Sequence, residues 1–286
     1  MSVSELSKRL SPRSPQGGLA PHPRVANAIA VGSGKGGVGK STTTVNLALA
    51  LQQQGLRVGI LDADIYGPSI PTMLDLSGRP ESTPEKKIIP MRALGIETMS
   101  IGFLVEDDSP MIWRGPMATQ ALTQFFNDTL WDDLDVLLID LPPGTGDIQL
   151  TLSQKIPVAG AVVVTTPQDV ATMDARKAIA MFEKVNIPVL GLVENMAVHV
   201  CSNCGHAEHI FGSGGGQAMA DRYNVPLLGS LPLDMGIREQ ADAGTPIVAA
   251  SPEHAASRAY AQLAAGLIKA LQERPRAVIS LSTQIL

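Results

Sequence analysis

Gly34-Lys35-Gly36-Gly37-Val38-Gly39-Lys40-Ser41-Thr42 lies directly after the apolar run Ala28–Val31 and directly before a helical pattern opening at Lys40. This is the G-x-x-x-x-G-K-[ST] arrangement in the strand-to-helix setting it requires. The glycines let successive backbone N–H groups turn inward around phosphate oxygens, and the helix adds its positive N-terminal end to the same anion. The implied ligand is ATP, with Lys40 on the β- and γ-phosphates and Ser41 on Mg2+. The next strand ends Leu61-Asp62-Ala63-Asp64. In an open parallel sheet such strand ends face the ligand crevice. Phosphoryl transfer asks the protein mainly to position groups and stabilise charge. Asp64 is therefore the candidate for orienting the attacking water and Asp62 for the Mg2+ water shell. Loop capping is the competing role for both, with Asp64 placed to cap a short helix after Pro68. Val136-Leu-Leu-Ile-Asp140 is again an apolar strand ending in aspartate. The Leu141-Pro-Pro-Gly144-Thr-Gly-Asp147 turn that follows can set a backbone N–H on a γ-phosphate and move when it leaves.

The chain has only two cysteines, in Cys201-Ser-Asn-Cys204. Thiols at this spacing bind one metal ion or one face of an iron–sulfur cluster. One chain supplies two cysteine ligands and a dimer supplies four, which suits a [4Fe–4S] cluster or a four-thiolate zinc on a two-fold axis. Within one chain, Cys201, Cys204, His206 and His209 offer a two-Cys, two-His zinc set, although such sites usually separate the pairs widely. A redox C-x-x-C normally opens a helix in a thioredoxin-like βαβ unit, a context missing here. His199, His206 and His209 read more readily as solvated loop residues than as ligands.

These groups need elements to hold them. Short apolar runs recur at Ala28–Val31, Val58–Leu61, Val136–Ile139, Ala161–Val164, Val189–Val193 and Leu227–Leu231. Most lack polar alternation, as buried parallel strands do. Helical patterns separate them at Lys40–Gln54, Met117–Leu130, Ile148–Lys155, Ala171–Lys184, Gly216–Tyr223 and Pro252–Gln272. The alternation predicts an α/β, doubly wound, mostly parallel sheet flanked by helices. Segment 86–102 breaks the rhythm and suggests a local hairpin or edge insertion. Pro116 suits the first turn of its helix, and Arg114 beside it is either a dimer or switch contact or a surface arginine. Ala255, Tyr260, Leu263, Leu267 and Leu271 form one packing face, without the basic polar face of a membrane-surface helix.

At 286 residues with no long linker after about residue 25, one large domain is expected. Residues 11–23 are rich in Pro, Gly and Ser; 1–24 are read as a flexible leader, 25–275 as the domain and 276–286 as a C-terminal tail. A net charge of −5 argues against nonspecific nucleic-acid binding, which wants a basic surface. Met1–Leu10 has no signal-peptide pattern, and no apolar run is long enough to span a membrane. The cysteine usage fits a reducing cytosol, so a cytoplasmic protein without nucleic-acid or membrane partners is expected.

Lys35, unneeded by the ordinary phosphate-loop pattern, makes GKGGVGKST resemble the deviant loop of the MinD, ParA and nitrogenase iron-protein group. The resemblance implies a nucleotide-sandwich dimer in which Lys35 reaches the partner's nucleotide and contributes to catalysis. It also implies that Asn195, in Val193-Glu-Asn-Met196, reads the adenine ring and that Pro232, in Leu231-Pro-Leu-Asp234, belongs to a second base-contacting loop. GKGGVGKST, LDADIYGPSIP, IWRGPM, DLPPGTGD, GLVENM, CSNCG and IFGSGGG, in that order across residues 25–270, are similar to the Mrp/ApbC family of iron–sulfur cluster carrier ATPases. What this implies is a homodimer bridging a [4Fe–4S] cluster on Cys201 and Cys204 of each subunit. The cluster would pass from assembly proteins to apo iron–sulfur proteins, coupled to ATP hydrolysis. The chain departs from the family in its short leader, where many bacterial members carry a small acidic domain. It also lacks the N-terminal four-cysteine cluster of some eukaryotic relatives, and has Ala197-Val-His-Val200 where relatives often have aromatics. A positioning ATPase of the MinD/ParA kind with a structural zinc is the alternative.

Overall fold

The computed structural model describes residues 10–15, 19–104 and 115–277. Strands β1 (Ala28–Ser33), β2 (Val58–Asp62), β3 (Met91–Ala93), β4 (Ile96–Ser100), β5 (Val136–Asp140), β6 (Val158–Thr165), β7 (Val189–Val200), β8 (Ala207–Glu208) and β9 (Leu227–Pro232) form one twisted array. Its order is β3-β4-β2-β5-β1-β6-β7-β8, with β9 also paired to β7. Pairing is parallel except at β3 and β8. The expected doubly wound sheet is observed.

Burial on both faces explains the unbroken apolar runs. In β1, Ile29 and Val31 enter one core and Ala28 and Ala30 the other; β5 divides the same way, Val136 and Leu138 against Leu137 and Ile139. Helices Lys40–Gln53 and Ala255–Gln272 cover the first face. Gly115–Asp128, Asp169–Lys184 and Gly215–Tyr223 cover the second. The last helix buries Tyr260, Leu263, Leu267 and Leu271 as expected, but Ala256 rather than Ala255 faces inward.

One expectation is met and two change. The 86–102 segment makes the expected hairpin at one edge of the sheet, with β3 outermost and, inside it, β4. Strand β4 pairs in parallel with β2 and all its residues are buried, leaving only β3 at the rim. Strand β7 does not stop at Val193 but continues through Glu194-Asn-Met196 to Val200, with a register shift against β9 between Glu194 and Val198. Met196 absorbs the irregularity with φ +58°. Residues 10–15 of the leader are docked. Leu10 is buried in the first core, Arg13 N–H donates to Asn27 Oδ1 (3.0 Å), and Arg13 pairs antiparallel with Arg276. Residues 276 and 277 of the tail belong to that strap, since Ala277 N–H donates to the Pro12 carbonyl. The rest of the tail, and Arg114, lie outside the described residues.

Trp131 is fully buried beneath the helix Gly115–Asp128, its Nε1–H on the Phe126 carbonyl at 3.1 Å. Trp131→Ala leaves a large cavity against the second core and should lower the unfolding free energy by about 3–5 kcal/mol, read as an earlier urea midpoint.

Candidate functional site

The phosphate loop runs from β1 into the helix Lys40–Gln53. Gly37 and Gly39 take positive φ (80° and 78°), a conformation that disfavours other residues. At Gly34 the constraint is space: a Cβ there would lie 2.1 Å from the Asp174 backbone, so loop and helix Asp169–Lys184 touch main chain to main chain. Lys35, Gly36, Gly37, Lys40, Ser41, Thr42 and Asp64 line a hollow of about 210 Å3. Gly39 and Thr42 are shared with a larger cavity of about 500 Å3, whose walls include Asn195, Met196, Pro232, Leu233 and Asp234. The sequence-derived phosphate and base residues thus fall along one trough. Val38 is buried under the loop, and its carbonyl accepts from Asn195 Nδ2 at 2.9 Å. Lys35 is half-buried on the loop, and among the described residues it forms no ion pair.

Beneath the trough the carboxylates converge. Asp62 and Asp140 are direct partners in the β2–β5 register and both are fully buried. Lys40 Nζ lies 2.7 Å from Asp140 Oδ2 and 3.5 Å from Asp64 Oδ2. Ser41 Oγ and Thr44 Oγ1 donate to Asp140 at 2.6 and 2.8 Å. Asp62 accepts from the Asp64 N–H at 3.1 Å and from Ser100 Oγ at 2.9 Å. Burial, reinforced by the neighbouring Asp140 carboxylate, pushes the Asp62 carboxyl up to about 7. Burial also raises Asp64, against the pull of Lys40. Asp64 does not cap the helix after Pro68; its Oδ1 accepts from Tyr66 N–H, and Ser69 holds the cap position of Ile70–Met73. The Gly144 amide donates to the Ser33 carbonyl at 3.0 Å. Gln149 Nε2, on the Pro142 and Pro143 carbonyls, braces that turn.

Thr44 and Ser100 were not singled out from sequence. Thr44 had a signal, since it stands four residues after Lys40 on the same helix face. Ser100 had none until β4 was known to pair with β2, placing Ser100 opposite Asp62.

The thiols stand apart from the carboxylates, at the tip of a hairpin made by the end of β7 and β8. His199 pairs with Glu208 and Val200 with Ala207. The tip closes through Cys201 N–H to the His206 carbonyl (2.9 Å) and Gly205 N–H to the Cys201 carbonyl (2.8 Å). Cys201 is half-buried and Cys204 exposed, both as free thiols. Hydrogen bonds from the Cys204 and Asn203 backbone amides, then the Cys204 thiol, pull the Cys201 pKa down. A turn that aims amides at sulfur favours the thiolate, the form that ligates metal. The one-chain zinc set is not assembled. His209 Nδ1 is 2.7 Å from the Ala197 carbonyl, and among the described residues no three His, Cys, Asp or Glu side chains converge.

Comparison with known proteins places this geometry. A family model described as ParA: NUBPL iron-transfer P-loop NTPase matches residues 24–268. A Haemophilus influenzae protein named iron-sulfur cluster carrier protein is 64% identical over 241 residues, covering 84% of this chain and 65% of its own. The chain thus spans about two thirds of that relative's length. A Pseudomonas fragi protein of the same name is 58% identical over 262 residues, 91% of each chain. The nucleotide-binding protein of Archaeoglobus fulgidus, solved in complex with ADP, superposes with a TM-score of 0.69 at 39% identity, over 85% of this chain and 91% of that one. A phosphate loop bordering a cavity of about 500 Å3, in a chain matched over most of its length, has one reading: the protein belongs to the NUBPL-type iron-transfer P-loop NTPases of the ParA group.

Proposed function

We propose that this protein is a cytoplasmic, ATP-dependent iron–sulfur cluster carrier that binds a [4Fe–4S] cluster between two copies of itself. The observation that carries the reading is the thiol hairpin. It presents two cysteines, one with its thiolate favoured by backbone amides, and no further ligand converges on them among the described residues. A four-thiolate site then takes Cys201 and Cys204 from each of two chains. Val200 and Ile210, each more than half exposed, flank the thiols as apolar surface that pairing would cover. Apo iron–sulfur proteins are the recipients and cluster assembly proteins the donors.

On the nucleotide side, Gly34–Gly39, Lys40, Ser41 and Thr42 bind the phosphates of ATP, and Asn195 and Pro232 contact its base. The Ser41 hydroxyl and the buried Asp62 and Asp140 carboxylates form an oxygen set that would hold Mg2+, which when bound would neutralise phosphate charge. Lys40 exchanges its bond to Asp140 for the phosphates, and the Gly144 amide exchanges the Ser33 carbonyl for the γ-phosphate. Asp64 orients the attacking water, and Lys35 reaches the nucleotide of the second copy. Hydrolysis to ADP and phosphate then resets segments 62–69 and 140–147. The alternative, a positioning ATPase, finds little support. The apolar face of the last helix, which a membrane anchor would need, is packed against the helix Lys40–Gln53.

Oxygen-free reconstitution should give iron and sulfide in the [4Fe–4S] ratio per dimer. Cys201→Ala should lose both while keeping ATP affinity; retention of cluster in that variant would sink the assignment. Lys40→Ala should accept a cluster yet hydrolyse ATP about 100-fold or more slowly, measured as phosphate release. Asp62 gives a pH signature. Its carboxyl, raised from 3.8 to about 7, stabilises the fold most below pH 4 and loses that contribution as pH climbs through about 7. Asp62→Asn lacks this slope, which is at most about 1.4 kcal/mol per pH unit. Urea unfolding from pH 4 to 7.5 should therefore show the variant gaining on wild type as pH rises.

A further inference from the structure

Strand β7 touches both sites. At Asn195 it borders the base cavity and holds the phosphate loop through the Val38 carbonyl. At Cys201, just past its end, it carries the first thiol. Between them Met196 breaks the regular ladder with φ +58° while also lining the cavity. A strand interrupted this way cannot by itself fix the direction of the hairpin beyond it. The hairpin has little else to hold it, since residues 202–210 are exposed and a two-stranded ribbon without a core is marginal alone.

Two imidazoles make up the deficit. His199 Nδ1 lies 3.0 Å from the Leu233 carbonyl, and His209 Nδ1 lies 2.7 Å from the Ala197 carbonyl. A carbonyl only accepts, so each ring carries its proton on Nδ1 and donates. The His199 bond reaches straight to the cavity, because Leu233 is one of its walls. The Leu233 N–H in turn donates to the Val198 carbonyl at 2.8 Å. Both backbone groups of Leu233 are therefore bonded to the residues just ahead of Cys201. The His209 bond ties the returning arm of the hairpin to β7 next to Met196. Leu233 thus ties a wall of the cavity to residues 198 and 199, which lead directly into Cys201.

We propose that His199 and His209 are positioning residues, struts that make the geometry of the Cys201–Cys204 hairpin depend on nucleotide in the adjoining cavity. The inference rests on the nucleotide and carrier readings above, and it deepens them by naming the route between the two sites. A ligand shifts such an element only by its differential affinity for the two arrangements, and coupling of this kind commonly amounts to about 5–150-fold.

The test uses the full chain without cluster. Alkylation rates of Cys201 and Cys204 by iodoacetamide are measured with and without saturating MgADP or a non-hydrolysable MgATP analogue. Wild type should show a nucleotide-dependent change of about 5-fold or more. His199→Ala and His209→Ala should each flatten that ratio toward one while nucleotide affinity, from calorimetry, stays within about 2-fold of wild type. His199→Asn, whose amide can still donate to the Leu233 carbonyl, should keep the ratio, which a generally loosened fold would not. Thiol reactivity indifferent to nucleotide in wild type overturns the proposal without need of any variant. A full response in the His199→Ala, His209→Ala double variant overturns it too. Iron and sulfide loading of wild type is scored separately, so loss of the carrier reading would show there and not in the alkylation ratio.

Discussion

A lysine and an aspartate sealed under the phosphate loop set the terms for the rest of this molecule. The Lys40–Asp140 pair has its charges taken out of water, with Asp62 one strand away and Asp64 nearby. Burying carboxylates side by side is expensive unless cations and hydroxyls meet them. The fold answers with Ser41, Thr44 and Ser100, each hydroxyl donating to one of the two strand-end carboxylates. The residual imbalance appears as an Asp62 that holds its proton far above the usual carboxylate range. A ligand bringing phosphate charge and a divalent cation would compete for Lys40 and Ser41, the two donors of this set that also line the hollow. For that reason a site built from buried charge can respond strongly to what occupies it.

The thiol hairpin follows the opposite logic. It stands outside the core and depends on backbone amides and two imidazole bonds for its shape. A rigid phosphate site inside the sheet and exposed thiols at its margin are joined by one long strand. The division suits a carrier, whose cargo must leave: ligands embedded in the core could not release without unfolding it, whereas a hairpin on struts can change shape while the sheet stays intact.

Much of this was legible in the chain. The phosphate loop, the strand-terminal aspartates and the six apolar runs were all read from residue type and spacing, because burial on both faces leaves an unbroken signature. Most of what escaped depended on contacts distant in sequence. The β3–β4 hairpin was legible, but the parallel pairing of β4 with β2, which buries Glu97, Thr98 and Ser100, was not. Asp64 was weighed as a helix cap, but its turn closes on Tyr66 first. The docked strap at residues 10–15 was hidden by a composition that usually means disorder; burial of Leu10 and contacts to Asn27 and to residues 274–277 reveal why it settles. The histidines were set aside as solvated, since nothing in their spacing announces a carbonyl from another strand.

The close approach at Gly34 has a consequence for inheritance. Its missing side chain lets the phosphate loop rest on the backbone of Asp174, with 2.1 Å where a Cβ would go. Every amino acid one base change away from a glycine codon has a Cβ. In the space of possible genes this position therefore has no single-step neighbour that preserves the loop as it stands. A lineage can leave it only if the helix facing it has already shifted, so the order in which substitutions accumulate is constrained as well as their identity.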